Sequence, residues 1–576
     1  MVNIKGETSF AKSLFHGFIP EEMVFPYPQL SGEEDEVVRT VIESFRKFAA
    51  KEIDSRKIDH EKKIPQQVLK GMAELGLTGL TIPEKYGGFG FSQTAYCRIF
   101  EALGSVDGSC AVTLGAHMSI GLKGILLFGT EAQKKKYLPP LARDGKWAAF
   151  ALTEPTAGSD ARSIKTKAVE SKDGSHFILN GSKIWITNGG FADVFTVFAM
   201  TDEPDGKGGI KERMTAFIVT RDMEGFSSGP NEEKLGINGS STAALYFNNI
   251  KVPKENLLGE RGKGFKVAVE VLNSGRLGLG AGCLGASKKM IEEAVRHATE
   301  RKQFNRPICE FGIIQEKIGR MTVLTYALES MVYLTTGLVD AGVPDFSIES
   351  AICKVYGSEI CWEVVNEALQ ISGGSGYMKD YPYERYLRDS RINLVFEGTN
   401  EILRIFIALA GMQEPGDYLA KIGKAMKDPI KSIGLLSDFA VKKIKKSFGT
   451  ARITLAHSAL KREAVLVEDF VSELAFNVEK VLRRHGAKIV EKELAQERIA
   501  DMAILIYAMI SVISRTSALI EKDGEAKREW EITAAKTFCQ MAKEKIEDIV
   551  RAFDNNVDEP LKELAKMSCG EGKYLF

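Results

Sequence analysis

The feature that most limits how this chain folds is a change of texture near Trp147. Upstream, "EEDEVVRTVIESFRKFAAKEI" repeats apolar residues at spacings of three and four. Residues 33–145 therefore read as helices, with Pro65 and Pro83 as punctuation. From Trp147 the runs "HFILNGSKIWITNGG", "DVFTVFAM", "MTAFIVT" and "AALYFNNIKVP" are short and rich in Ile, Val, Phe, Thr and Tyr. They are bounded by Gly, Asn and Pro, the signature of strands. Helical texture resumes near Gly264 and runs to about Met412, and strongly helical stretches follow Gly416. The fold class read from this order is α+β, mostly α. It comprises an N-terminal helical domain over 1–147, a central antiparallel β domain over 148–258, a helical-bundle domain over 259–415 and an extra C-terminal helical domain over 416–576. A chain of 576 residues has to divide in some such way, because a single core stops growing at about 250–300 residues.

Composition removes several function classes. With 77 basic against 77 acidic residues and a pI near 7.1, no global field favours nucleic acid. The eight cysteines form no C-x-x-C pair and the seven histidines no H-x-x-H, so no metal site is expected and the thiols read as reduced core residues. The N-terminus "MVNIKGETSFAKSLFHGFIP" shows no long apolar h-region and is not Arg-rich, which fits a cytoplasmic, bacterial-type chain. The longest apolar stretch, "MAILIYAMISVIS" (502–514), is shorter than the roughly 20 residues a bilayer needs and reads as a buried helix.

Several short motifs carry chemistry, each with a plainer alternative. "GAGCLG" (280–285) fits G-x-G-x-x-G but has no βαβ series around it, so close helix packing is the better reading. "FALTEPTAGSD" (150–160) makes an open turn of backbone N–H groups and hydroxyls, suited to an anion or the polar edge of a ring, or simply to the start of the β domain. "KIWITNGG" (183–190) sets Trp185 and Thr187 on one strand face, for a planar ring or for the core. "ERKQFNRPI" (300–308) gathers Arg301, Lys302 and Arg306 around Phe304, for a phosphate and an aromatic base or as a solvated helix end. "LQISGGSGYM" (369–378) ends a helix in glycines that allow close backbone approach. Finally, "LVFEGTNEIL" (394–403) places Glu397 alone behind Leu394, Val395 and Phe396, where it is either a helix-start residue or an acid with a reaction to serve.

Taken in order, "LTEPTAGSD", "WITNGG", "ERKQF", "QISGGSGY" and "FEGTN" resemble the acyl-CoA dehydrogenase family over about residues 35–412. The extension after 416 and "FPYPQL" near the start resemble its very-long-chain branch, which includes a paralogue with a role in respiratory complex I assembly. The resemblance implies an FAD-dependent α,β-dehydrogenation of long-chain acyl-CoA to trans-2-enoyl-CoA in β-oxidation, with electrons passing to an electron-transfer flavoprotein. Glu397 matches the catalytic base, which removes the α-proton while the β-hydride goes to the flavin. The base's own backbone N–H and a flavin ribityl hydroxyl polarise the thioester carbonyl, and apolar neighbours such as Phe396 raise the carboxyl pKa. Phe150, Leu152, Thr153, Ser159, Trp185, Ile186 and Thr187 match FAD contacts, as do Thr399 and Asn400 after the base. Arg301, Phe304, Gln370, Gly373 and Gly374 match residues that reach FAD from a neighbouring subunit. Ser159, Asn273, Arg276 and Phe396 occupy acyl-CoA positions, with Arg276 expected near the CoA moiety. Position 273 is Asn where medium-chain relatives carry Asp, and 396 is Phe where shorter-chain members carry Tyr.

The branch implies a homodimer and peripheral membrane contact, at the inner membrane face of a bacterium, with a mitochondrial location if the source is eukaryotic. In "IKSIGLLSDFAVKKIKKSFG" (430–449) Leu436, Ala440, Ile444 and Phe448 form one helical row with Lys442, Lys445 and Lys446 opposite. That pattern suits an anionic surface or an ordinary docking helix. The rival readings are an acyl-CoA oxidase using oxygen and an assembly or scaffold protein of the same fold.

Overall fold

The structure is a computed structural model that describes residues 9–427 and 451–576, with only the backbone of 418–427. The expected basic helix at 430–449 lies outside the described residues. The described residues are 63% helical around one central sheet, in agreement with the mostly α reading. It divides into two compact units. One comprises Gln29–Gly342 and Cys353–Asn400, the other Met1–Pro28, Val343–Ile352 and Glu401–Phe576.

In the first unit, helix Gly32–Glu52 shows why its sequence folds as it does. The Ser31 side chain accepts from Glu34 N–H, Glu33, Glu34 and Asp35 sit at the positive end, and Val38, Phe45 and Ala49 turn one face inward. The sheet is built from β1 (Ala148–Ala151), β2 (Lys167–Glu170), β3 (His176–Thr187), β4 (Val194–Pro204), β5 (Ile210–Thr220), β6 (Phe226–Asn231), β7 (Thr242–Pro253) and β8 (Leu257–Leu258). Its order is β6-β7-β3-β2-β4-β5-β8, with β1 beside β4. Most pairings are antiparallel as expected, but β1 and β2 each run parallel to β4, so the sheet is mixed. Alternation does not reveal this, because it reports which face a residue takes and not the direction of its neighbour.

"GAGCLG" lies inside the helix Gly264–Glu300. A Cβ at Gly285 would stand 1.9 Å from the Glu101 carbonyl, and one at Gly104 2.4 Å from the Gly282 carbonyl. The glycines let helices Gln93–Gly104 and Gly264–Glu300 cross at backbone contact, as the packing reading expects.

The second unit is helical. Helix Glu493–Asp523 carries "MAILIYAMISVIS" and is long and apolar enough to cross a membrane, but 78% of its most apolar window is buried inside the protein. Helices Lys461–His485 and Glu529–Ala552 pack against it, each with an apolar stripe. At the start of the chain, the Glu349 carboxylate accepts from Ser9 Oγ (2.7 Å) and Ala11 N–H (2.9 Å) and so ties down helix Phe10–Leu14.

Candidate active site

The segment before Glu397 ends a short 3-10 turn at Ile392–Leu394, and helix Asn400–Lys427 begins three residues after it. Between them, Glu397 (φ +60°) and Gly398 (φ +93°) both adopt left-handed backbone. Glycine takes such angles freely, whereas for glutamate they cost about 1–3 kcal/mol and persist only when the surroundings hold them. A helix start and a fixed placement of the acid are therefore compatible in one turn.

The carboxylate of Glu397 points against helix Gly264–Glu300. A Cβ at Gly275 would lie 2.8 Å from Glu397 Oε2 and 2.9 Å from Ile120 Cγ2, so only glycine leaves the acid its place. Oε2 is buried without a hydrogen-bond partner among the described residues. The Glu397 N–H likewise has no acceptor there. Burial drives the carboxyl up to about 7, against the opposing pull of Arg276 and Lys354.

Three side chains hold this turn. Arg276 donates through Nε to the Glu397 carbonyl (3.3 Å) and through Nη1 to Asn273 Oδ1 (3.0 Å). It is buried beside the acid, and burial lowers its guanidinium to about 10 while Glu397 pulls it back up. Lys354, absent from the sequence reading, donates to the Gly398 carbonyl and to Asn400 Oδ1, both at 2.7 Å. Asn400 is buried and in turn donates to Ser358 Oγ (3.0 Å) and Glu359 Oε1 (3.1 Å), so its side chain serves the protein interior. Phe396 and Thr399 flank the acid and are partly buried. The signal that could have found Lys354 is a lone lysine inside the apolar run "AICKVYG".

The turn 152–159 is built on a second buried lysine. Lys183 Nζ donates to the Leu152 carbonyl (3.1 Å) and to Glu154 Oε1 (2.7 Å), and Glu154 also accepts from the Lys165 and Thr166 N–H groups. Burial lowers the Lys183 ammonium to about 8. Burial also pushes Glu154 up, but the lysine and the hydrogen bonds outweigh it and hold that acid below the ordinary carboxylate value. Phe150, Leu152 and Ile186 are buried in the β domain, Thr153 and Thr187 are partly buried, and Ser159 is exposed.

Trp185 follows on β3, where Lys183 pairs with Leu245 but Ile186 with Ala243, leaving one extra residue in the strand. On this bulge Trp185 takes φ +57° and is 63% exposed, so the core reading of this indole is excluded. A bulky residue in left-handed backbone, turned outward by a bulge, presents a flat apolar face for a planar ring. The remaining expected contacts are exposed. Arg301 and Phe304 lie at the hairpin Lys302–Gln303/Arg306–Pro307, with Phe304 88% exposed, and Gln370, Gly373 and Gly374 at the end of helix Ser347–Ser372. A Cβ at Gly373 or Gly374 would meet nothing within 4 Å.

Family models match this order of domains. The acyl-CoA dehydrogenase N-terminal, middle and C-terminal domains match residues 35–145, 149–250 and 262–412. The chain belongs to the acyl-CoA dehydrogenase family and is an FAD-dependent acyl-CoA dehydrogenase of fatty acid metabolism. Residues 458–574 further match the ACAD9/ACADV C-terminal domain. The human mitochondrial very long-chain specific acyl-CoA dehydrogenase is 44% identical over 95% of this chain and 84% of its own length. A Bacillus anthracis acyl-CoA dehydrogenase solved in complex with FAD shares 35% identity at a TM-score of 0.81, covering 96% of this chain and 94% of that one. A chain from the structure of the electron transferring flavoprotein of Acidaminococcus fermentans shares 39% identity over 66% of this chain and 98% of its own, at a TM-score of 0.62.

Proposed function

We propose that this enzyme oxidises long-chain acyl-CoA to the trans-2-enoyl-CoA with Glu397 as the base. The observation that carries this reading is the buried, unpartnered Oε2 of Glu397, held beside Gly275 by a strained turn. A carboxyl raised to about 7 is a stronger base than an exposed glutamate, yet half-ionised near neutrality, which suits removal of a weakly acidic α-proton. The orphan Glu397 N–H donates to the thioester carbonyl and stabilises the charge that develops there as the proton leaves. Bound FAD would supply the hydride acceptor for the β-carbon, so that the acyl chain would lose one proton to Glu397 and one hydride and gain the double bond. Trp185 and the 152–159 turn would hold the flavin ring, Thr399 stands beside the base, and Arg301, Phe304, Gln370, Gly373 and Gly374 would serve the flavin of a second subunit. Asn273 and Arg276 shape the substrate side of the turn.

A long-chain substrate is supported by likeness to the very long-chain specific relatives along most of the chain, extension included. An electron-transfer flavoprotein as acceptor is supported by likeness to the Acidaminococcus chain. A homodimer and a membrane contact through 430–449 complete the reading. Anaerobic titration of the yellow holoprotein with acyl-CoAs of graded length tests it. Bleaching should be fastest with long chains, and the reduced enzyme should pass electrons to an electron-transfer flavoprotein with little peroxide formed in air. A short-chain optimum or stoichiometric peroxide overturns it, and light scattering that gives a tetramer removes the dimer.

A further inference from the structure

We propose that Lys354 is a positioning residue for the dehydrogenation, holding the Gly398 carbonyl and Asn400 so that Glu397 stays aimed at the substrate, and supplying the positive charge that keeps this buried acid ionisable. The proposal rests on Glu397 being the base.

Lys354 sits in the N-terminal third of helix Ser347–Ser372 and is fully buried. Its hydrogen bonds go to the carbonyl of Gly398 and the amide oxygen of Asn400, both neutral. Among the described residues no carboxylate stands within ion-pair distance of its Nζ. A buried ammonium is costly unless a negative charge answers it. The groups that bear on it are Cys283, Glu397, Arg276 and Glu359, and of the two carboxylates Glu397 acts on it more strongly. From the side of Glu397, the facing groups are Arg276 on helix Gly264–Glu300, Lys354 on helix Ser347–Ser372, and the buried Tyr96 phenol on helix Gln93–Gly104. Both cations favour the carboxylate form, against the burial that disfavours it.

The geometry separates holding from charge. Residues 397 and 398 are both left-handed, and the carbonyl of the second is fixed by the lysine. Asn400 is fixed three ways, by Lys354, Ser358 and Glu359, all on the same helix. The turn that carries the acid is thereby tied to a rigid element on its C-terminal side, while Arg276 ties it on the other, at the Glu397 carbonyl. A lysine that only satisfied a carbonyl would be replaceable by any buried donor. One that also ionises the acid would not.

The test uses full-length holoprotein as wild type, Lys354→Gln, Lys354→Met and Glu397→Gln. The carboxyl of Glu397 is followed by infrared titration of its protonated C=O band, identified by its loss in Glu397→Gln. Flavin bleaching by palmitoyl-CoA is timed across pH, and flavin content is read from the visible spectrum. Both Lys354 variants should titrate about one pH unit above wild type, with the acid limb of bleaching moving by the same amount. Lys354→Gln, which retains a donor for the Gly398 carbonyl, should keep a bleaching rate at high pH within about tenfold of wild type. Lys354→Met should lose about a hundredfold, since a small displacement of the base is enough for that. An unmoved titration midpoint in both variants overturns the proposal. So does loss of flavin or fold in Lys354→Gln, which would make the lysine a scaffold residue. If Glu397→Gln still bleaches, the assignment of the base fails instead, whatever the lysine variants do.

Discussion

Two turns of the catalytic unit are each fastened by a buried lysine, and the two lysines meet different partners. Lys183 fastens the Leu152–Glu154 turn and finds a carboxylate 2.7 Å away, so its charge is answered where it stands. Lys354 fastens the Gly398–Asn400 turn through neutral oxygens, and its charge is left to act across space on Glu397. The first arrangement is a closed clamp whose job is shape. The second leaves a field in the active site. A buried lysine is thus not one kind of feature, and the identity of its acceptors decides whether it supports a loop or tunes a reaction.

The sharpest way to break this contrast is to remove the closed clamp. Lys183→Met leaves Glu154 buried without its cation, a change expected to cost about 3–5 kcal/mol. Denaturant unfolding should show the loss together with weakened flavin retention, because the 152–159 turn loses its anchor. The infrared titration of Glu397 should not move. If it moves as far as in the Lys354 variants, the two lysines do not differ in kind.

A smaller effect is expected from Gly275→Ala. The new Cβ would stand 2.8 Å from Glu397 Oε2 and 2.9 Å from Ile120 Cγ2, so both the end of the acid and the stiff isoleucine have to shift. Bleaching by acyl-CoA should fall by about 10²-fold, as expected for an approximately 1 Å misplacement of a reacting group. Displacing Ile120 should cost about 1–3 kcal/mol of stability, less than in Lys183→Met, and flavin content should stay close to wild type. A variant that loses stability while keeping its bleaching rate would show that the carboxylate is not held where the structure places it.

The same contrast explains what was legible beforehand. Glu397, Trp185 and the 152–159 turn lie in contiguous motifs, where one short stretch contains both the residue and its special backbone, and the order of helices and sheet follows from periodicity. Lys354 and Gly275 act on Glu397 from other helices, about 40 and 120 positions away in the chain, and no local pattern announces that meeting. The bulge under Trp185 was hidden because strict alternation assigns faces as though no residue were extra. For Arg276 the sequence shows a guanidinium's charge, and not that its N–H groups face the Glu397 and Asn273 oxygens. The parallel pairing of β1 and β2 with β4 escaped for the reason already given, that side-chain alternation is blind to strand direction.

A third buried acid, in the other unit, shows what burial does where no cation pairs with it among the described residues. Glu349 accepts from Ser9 and Ala11 through one oxygen, while Oε2 is buried without a hydrogen-bond partner. Burial drives it up from 4.5 to about 7, against those hydrogen bonds, with Asp345 adding a small push in the same direction. Since the folded value lies above the unfolded one, the folded state binds the proton more tightly. Stability is then greatest at or below about pH 4.5, declines as pH rises towards 7, and levels off above it. Glu349→Gln keeps an acceptor for Ser9 and Ala11 and has no proton to lose. Its advantage over wild type should therefore grow by about 2–3 kcal/mol between pH 5 and 8, read as the difference in unfolding midpoint at each pH. A difference that stays constant across that range would mean the acid is ionised in the folded protein, with a counter-charge that the described residues do not supply.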